Sequence, residues 1–153
     1  ICMMHPNTFV AQTTCAHTNH FYKAVLGALE FDGPAVVNCY TTCQPEHGVA
    51  DNMATDQARL AVDTRAFPLL IFDPSKGDTI KKRLSLIGNP ATKEDWWTNP
   101  KTKETVDFID FCRSEGRFGK HFDRDGNPSE TLLKAKNDRL ENWRQLQELA
   151  GLI

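Results

Sequence analysis

Apolar positions in the first half of the chain follow two alternating rhythms. TFVAQTT at 8–14 is a short β-rich run, and from Thr18 the apolar residues Phe21, Tyr22, Val25, Leu26 and Leu29 recur at helical spacing. These predict a strand over 8–14 and a helix over about 18–30 with Thr18 as its cap. Phe31-Asp32-Gly33-Pro34 supplies a turn, because glycine tolerates positive φ and proline cannot continue a helix. AVVNCYT at 35–41 lacks polar alternation, which predicts a strand buried on both faces. A helix capped by Thr55 and running to about Arg65, then a third strand in LLIFDP at 69–74, complete a β-α-β-α-β order. That order predicts half of a doubly wound parallel sheet, with any site lying beyond the carboxyl ends of the strands.

After Lys76 the pattern changes. KGDTIKKRLSLIGNPATKEDWWTNPKTKE is rich in charge, Gly, Pro and Trp and has little periodicity, which predicts an extended arm pinned to a surface by Trp96 and Trp97. Two helices follow, at about 104–114 and about 129–150. The second is capped by Ser129 and carries Leu132, Leu133, Leu140, Trp143, Leu146 and Leu149 on one broad side. The expected class is therefore α/β, with residues 1–76 forming part of a doubly wound sheet and residues 77–153 an arm with a helical C-terminal extension.

Composition narrows the function classes. The 153 residues, 40% hydrophobic, suffice for one core. A net charge of -2 with scattered Lys and Arg argues against nucleic acid as a partner. The longest apolar run, FPLLIF, is far below the ~18 residues that cross a bilayer, so no membrane association is expected. Five cysteines at 2, 15, 39, 43 and 112, odd in number and irregular in spacing, point to a reducing, cytoplasmic compartment with thiols free to bind metal. Ile1 is not a start residue and ICMMHPNTFV is not a signal peptide, so a piece of a longer protein is expected.

Candidate chemistry concentrates in CYTTCQPEHG at 39–48. Cys39, Cys43 and His47 form C-x3-C-x3-H, which raises a zinc module, yet Pro45 interrupts any helix and a structural zinc takes four ligands. Cys39, within a strand, is expected to be a small buried thiol. Cys43 follows the strand in a Thr-flanked loop, where it fits a metal ligand, a nucleophile with His47 as base, or a thiol without a role. Cys15, His17 and His20 flank the start of the first helix, where histidines are commonly solvated or hydrogen-bonded. DRDG at 123–126 reads as a plain turn, since Gly126 is fourth where a calcium-binding EF-hand loop has Gly sixth. No G-x-G-x-x-G, Walker, H-E-x-x-H or G-x-S-x-G motif occurs.

An ordered set of residues carries a resemblance over roughly residues 8 to 75. Ala16, Asn19, Lys23 and Ala24 in the first helix, Gly33-Pro34, Tyr40 and Cys43, His47-Gly48, Met53, Gln57 and Ala61-Val62 occur in the order found in one family. The stretch resembles the end of the thiamine-diphosphate domain of pyruvate:ferredoxin (flavodoxin) oxidoreductases, within the 2-oxoacid:ferredoxin oxidoreductases. The resemblance implies that Cys43 is the fourth thiolate of a [4Fe–4S] cluster whose other three thiolates lie upstream in the same domain. It implies weaker roles beside the cofactors for Asn19 and His47.

For the complete protein the resemblance implies oxidative decarboxylation of pyruvate with thiamine diphosphate, Mg2+ and coenzyme A, electrons passing to ferredoxin or flavodoxin, and a homodimer. The G-D-G, N-T-G-G-Q type, C-x-x-C and G-C-S segments of the family are absent from these 153 residues. The chain by itself is therefore expected to hold neither cofactor and to act together with the remainder of the oxidoreductase. The other readings are a non-catalytic α/β scaffold that docks onto partner subunits, and a small zinc-binding domain.

Overall fold

The computed structural model describes residues 1–153. After a 3-10 turn at Cys2–Met4, strand β1 (Phe9–Thr14) leads into helix α1 (Thr18–Glu30), and Gly33-Pro34 returns the chain to strand β2 (Ala35–Tyr40). β1 and β2 pair in parallel, from Phe9 opposite Ala35 to Thr14 opposite Tyr40. A crossover helix is what a parallel pair requires, and α1 provides it, packed on both strands. The one-turn helix α2 (Gln44–His47) and helix α3 (Ala54–Asp63) follow, then strand β3 (Leu70–Phe72).

β3 departs from the predicted parallel order. It pairs antiparallel with β1, Leu70 opposite Gln12 and Phe72 opposite Val10. The reason is where α3 goes. It packs on a later helix and not back along the sheet, so the chain re-enters at the end from which β2 left and must run the other way. Helix α4 (Ile80–Arg83) and strand β4 (Leu84–Ser85) extend the sheet, again antiparallel, to the order β2-β1-β3-β4. The class is α/β with a mixed sheet.

The remaining elements are a small ladder of β5 (Trp97–Thr98) with β6 (Thr105–Val106), helix α5 (Phe108–Arg113), a 3-10 segment at Gly116–His121, and helix α6 (Glu130–Leu149). Ser129 caps α6 by accepting the Leu132 N–H, as its sequence predicts. α5 begins with a capping box in which Asp107 and Asp110 bond each other's backbone. At α1 and α3 the predicted caps differ. His17 and Met53 occupy those positions without side-chain caps, because a strand-end turn and a 3-10 turn feed directly into the helices.

Two packing expectations are corrected. β2 is exposed along most of its length and not buried on both faces, because it is an edge strand with β1 as its single neighbour. α1 has the predicted extent, but the stripe pressed on the sheet is the small one. Ala24 is buried, Ala28 packs beside it, and Gly27 lies so close to the Phe9 ring that an added Cβ would stand 2.8 Å from Cζ. Small residues let the helix axis approach the strands, which turns Tyr22 (66% exposed) and Leu29 (77% exposed) outward.

The other sheet face holds the larger core: Val10, Leu70, Phe72, Leu84 and Leu86 close around Trp143 of α6. The arm after Lys76 is thus part of this core. Its backbone is fixed by buried polar groups: the Trp143 indole donates to the Glu94 carbonyl at 2.9 Å, and Gln147 donates to the Thr92 carbonyl at 2.9 Å. Arg65, also buried, lies 4.1 Å from the Trp143 ring centroid and donates to the Ala91 and Asp95 carbonyls. Burial pushes the Arg65 guanidinium down to about 10, against the pull of Asp63, Glu94 and Asp95. Trp96, expected to pin the arm, is half-buried with the Lys136 ammonium 5.7 Å from its ring centroid.

Trp143→Ala empties the centre of this core and leaves the Glu94 carbonyl without its donor. Urea unfolding should register a loss of about 3–5 kcal/mol, the range for deleting a fully buried large aromatic.

Candidate functional site

The parallel pair ends at Thr14 and Tyr40 and is extended by one more bond, from the Cys15 N–H to the Tyr40 carbonyl at 3.3 Å. This brings Cys15, Cys39 and the loop after Tyr40 to one end of the sheet. The loop runs through Thr41 and buried Thr42 to Cys43, which precedes the single turn α2. Pro45 sits early in that turn, where its missing N–H costs nothing. The His47 N–H donates to the Cys43 carbonyl at 2.9 Å, and Gly48 takes φ +64 to end the turn. Cys43 itself is exposed, at the carboxyl end of a parallel strand as its sequence position predicts.

A residue without any sequence signal organises the loop from beneath. Glu115, whose side chain is wholly inaccessible, accepts from the Tyr40 hydroxyl and from the Gln57 amide, each at 3.0 Å on Oε1. Arg117 Nε donates to Oε2, and His47 Nδ1 lies 3.5 Å from Oε1. That last contact is an approach without hydrogen-bond geometry: His47 Nδ1 is buried and unpartnered. Ser114 completes the set by donating to Gln57 Oε1 at 2.8 Å. The Tyr40 phenol is pushed up to about 12, first by burial and then by the charge and hydrogen bond of Glu115. In sequence, Glu115 stands between Ser114 and Gly116 outside every motif considered above, so local pattern offers nothing to find it by.

The other predicted residues fall as follows. Asn19 is exposed in the first turn of α1, at the same end of the sheet. His17 Nδ1 pairs with the Thr14 hydroxyl at 2.8 Å and His20 Nδ1 with the Thr13 hydroxyl at 3.0 Å, the hydrogen-bonded state expected of them. Cys39 is exposed, contrary to the buried thiol expected, because it lies on the uncovered edge strand. Its pKa is raised by partial loss of water and by neighbouring Cys15. The buried thiol is Cys112, pushed up to about 12, mainly by burial. DRDG forms a turn around Asp123, which accepts the Asp125 and Asn127 N–H groups.

No three His, Cys, Asp or Glu side chains converge closely enough to hold a metal ion, so Cys39, Cys43 and His47 do not make a zinc site. Nor do they make a complete iron–sulfur site, which takes four thiolates. Cys43 presents an exposed, unpaired thiol on the loop that follows β2. No helix is long and apolar enough to cross a membrane.

By sequence, the chain is similar to several curated oxidoreductases. It is 28% identical over 154 aligned residues to the pyruvate-flavodoxin oxidoreductase of Rhodospirillum rubrum, an alignment covering 99% of this chain and 12% of that protein. It is 34% identical over 92 residues to the "Probable pyruvate-flavodoxin oxidoreductase" of Escherichia coli, covering 60% of this chain and 8% of that protein. To ketoisovalerate oxidoreductase subunit VorB of Pyrococcus furiosus it is 27% identical over 153 residues, covering 100% of this chain and 42% of the subunit. The chain thus spans less than half the length of each of these relatives. No family profile matches it.

Two measurements check the geometry. Brief iodoacetamide treatment of the native chain near pH 8, followed by peptide mapping, should label Cys15, Cys39 and Cys43 and spare Cys112 until the chain is unfolded. The second concerns pH. His20 is lowered from 6.5 to about 4, by burial first and then by His17 and Lys23, so its contribution is complete above about 6.5 and lost as pH falls through about 4. Asp63 is raised from 3.8 to about 6, chiefly by burial, so its contribution is complete below 3.8 and lost as pH rises through about 6. The two slopes oppose each other. Urea unfolding between about pH 4 and 6 should therefore give opposite changes: relative to wild type, His20→Gln gains stability toward low pH and Asp63→Asn loses it.

Proposed function

We propose that this chain is part of an oxidoreductase of 2-oxo acids, that residues 1–76 form the C-terminal half of its thiamine-diphosphate-binding unit and residues 77–153 an extension of it, and that Cys43 supplies one thiolate to a [4Fe–4S] cluster. The observation that carries the reading is the exposed Cys43 thiol, just past the end of a parallel strand pair, in a chain whose sequence kin are pyruvate and ketoisovalerate oxidoreductases. The carboxyl ends of parallel strands are where α/β sheets present ligands to bound groups. The remaining three thiolates, and the groups that hold Mg2+ and the diphosphate, belong to other segments of the complete protein.

In that protein the reaction is oxidative decarboxylation of a 2-oxo acid, pyruvate in the first instance, to its coenzyme A ester, with electrons leaving to flavodoxin or ferredoxin. Bound thiamine diphosphate supplies carbanion stabilisation, and an iron–sulfur cluster supplies one-electron transfer. The part of this chain's own residues is to bind and orient. Cys43 presents sulfur from the loop after β2, and we assign weaker roles beside the cofactors to Asn19 at the start of α1 and to His47 in α2. The complete protein is a homodimer, and its compartment is the cytoplasm.

The test is Cys43→Ala in the complete oxidoreductase, which leaves no donor atom at this position. Iron and acid-labile sulfide should each fall by about four per protomer, the content of one such cluster, and pyruvate-dependent reduction of flavodoxin should fall with them. Unchanged iron, sulfide and redox spectrum would remove Cys43 from the cluster.

A further inference from the structure

We infer that Glu115 is a positioning residue that fixes the Cys43 loop from both of its flanks through one buried carboxylate. Tyr40, three residues before Cys43, donates its hydroxyl to Oε1, and the ring of His47, four residues after, is brought to 3.5 Å from the same atom. The Tyr40 and His47 rings also lie against each other, centroids 6.4 Å apart. Both ends of the loop are therefore referred to a single point. That point is held in turn by Gln57 of α3 and by Arg117.

Backbone contact reinforces the carboxylate. The Gly116 N–H donates to the Gly48 carbonyl at 3.4 Å, and a Cβ at Gly48 would stand 2.9 Å from Gly116 Cα. Two glycines in van der Waals contact bring the segment carrying Glu115 directly under the turn that follows Cys43. The alternative is that Glu115 merely fills the core. Its contacts argue otherwise: the two hydrogen bonds to Oε1 come from polar groups of β2 and α3, the elements between which the loop lies, and the His47 ring of α2 approaches the same atom. The importance of a fixed thiol rests on the reading of Cys43 as a ligand; its position does not.

The experiment uses the 153-residue chain without iron and compares Glu115→Ala and Glu115→Gln with wild type. Two readouts are local: hydrogen exchange of the peptide covering 44–49 against that of α1, and the alkylation rate of Cys43 relative to Cys15 in the same molecule. In Glu115→Ala, exchange in 44–49 should rise about tenfold while α1 is unchanged, and the Cys43-to-Cys15 ratio should shift about threefold. Glu115→Gln keeps an oxygen for Tyr40 and Gln57 and should fall between.

A uniform change in all segments, as from general loss of stability, would overturn the assignment, and so would no change at all. Should Glu115→Ala fail to fold, Tyr40→Phe removes one hydroxyl only, and an unaltered ratio in that variant is equally fatal. Because no cluster is present, a Cys43 that binds no iron in the complete protein leaves these results untouched, and the two ideas fail separately.

Discussion

The arrangement of the site depends on a carboxyl group being kept out of water. Glu115 is fully buried, and such a group is tolerated only when its lone pairs are taken up and its charge is met. Tyr40 and Gln57 take up Oε1 and the Arg117 guanidinium meets the charge at Oε2. These partners come from 75 and 58 residues earlier in the chain and from two residues later. Satisfying one side chain therefore requires β2, α3 and the segment after α5 to be in place together. The Cys43 loop is the stretch between the first two of these elements, and its course follows from theirs.

A second buried charged group, Arg65, does similar work against the arm. Arg65 closes α3 with φ +60, inserts between Trp143 and the 91–95 backbone, and ties the irregular arm to α6. The irregular segment needs such groups because it has few ladder bonds of its own, and buried backbone carbonyls must find donors. Asn89 does the same at Leu69 and Leu86, and Gln147 at Thr92. Polar side chains thus substitute for secondary structure where the chain between β4 and α5 has little.

Local features were legible in the sequence because they have local causes. β1, α1, the Gly33-Pro34 turn, α6 with its Ser129 cap, and an accessible Cys43 past a strand end all follow from periodicity or turn chemistry within a few residues. The failures are those in which a distant neighbour decides. An all-apolar strand is buried only if something lies on each side, and β2 has one partner. A third strand is parallel only if the preceding helix crosses the sheet, and α3 packs on α5. The apolar periodicity of α1 identified a helix correctly, but the close approach at Gly27 selected the alanine face for the sheet. Glu115 and Arg65 lay beyond local pattern, since nothing adjacent distinguishes a buried charge from a solvated one.

Why a carboxylate holds this loop, where apolar packing would hold it more strongly, follows from direction. Apolar contacts fix distance loosely and permit sliding, whereas hydrogen bonds weaken steeply away from linearity and so fix orientation as well. Tyr40 reports the end of the parallel strand pair and Gln57 the start of α3, and both bonds converge on one oxygen. A loop tied to that oxygen inherits the geometry of the sheet rather than the mobility of a surface turn. Under the proposed role of Cys43 as a cluster ligand, that inheritance is the useful property, and it is obtained with the Cys43 thiol left exposed.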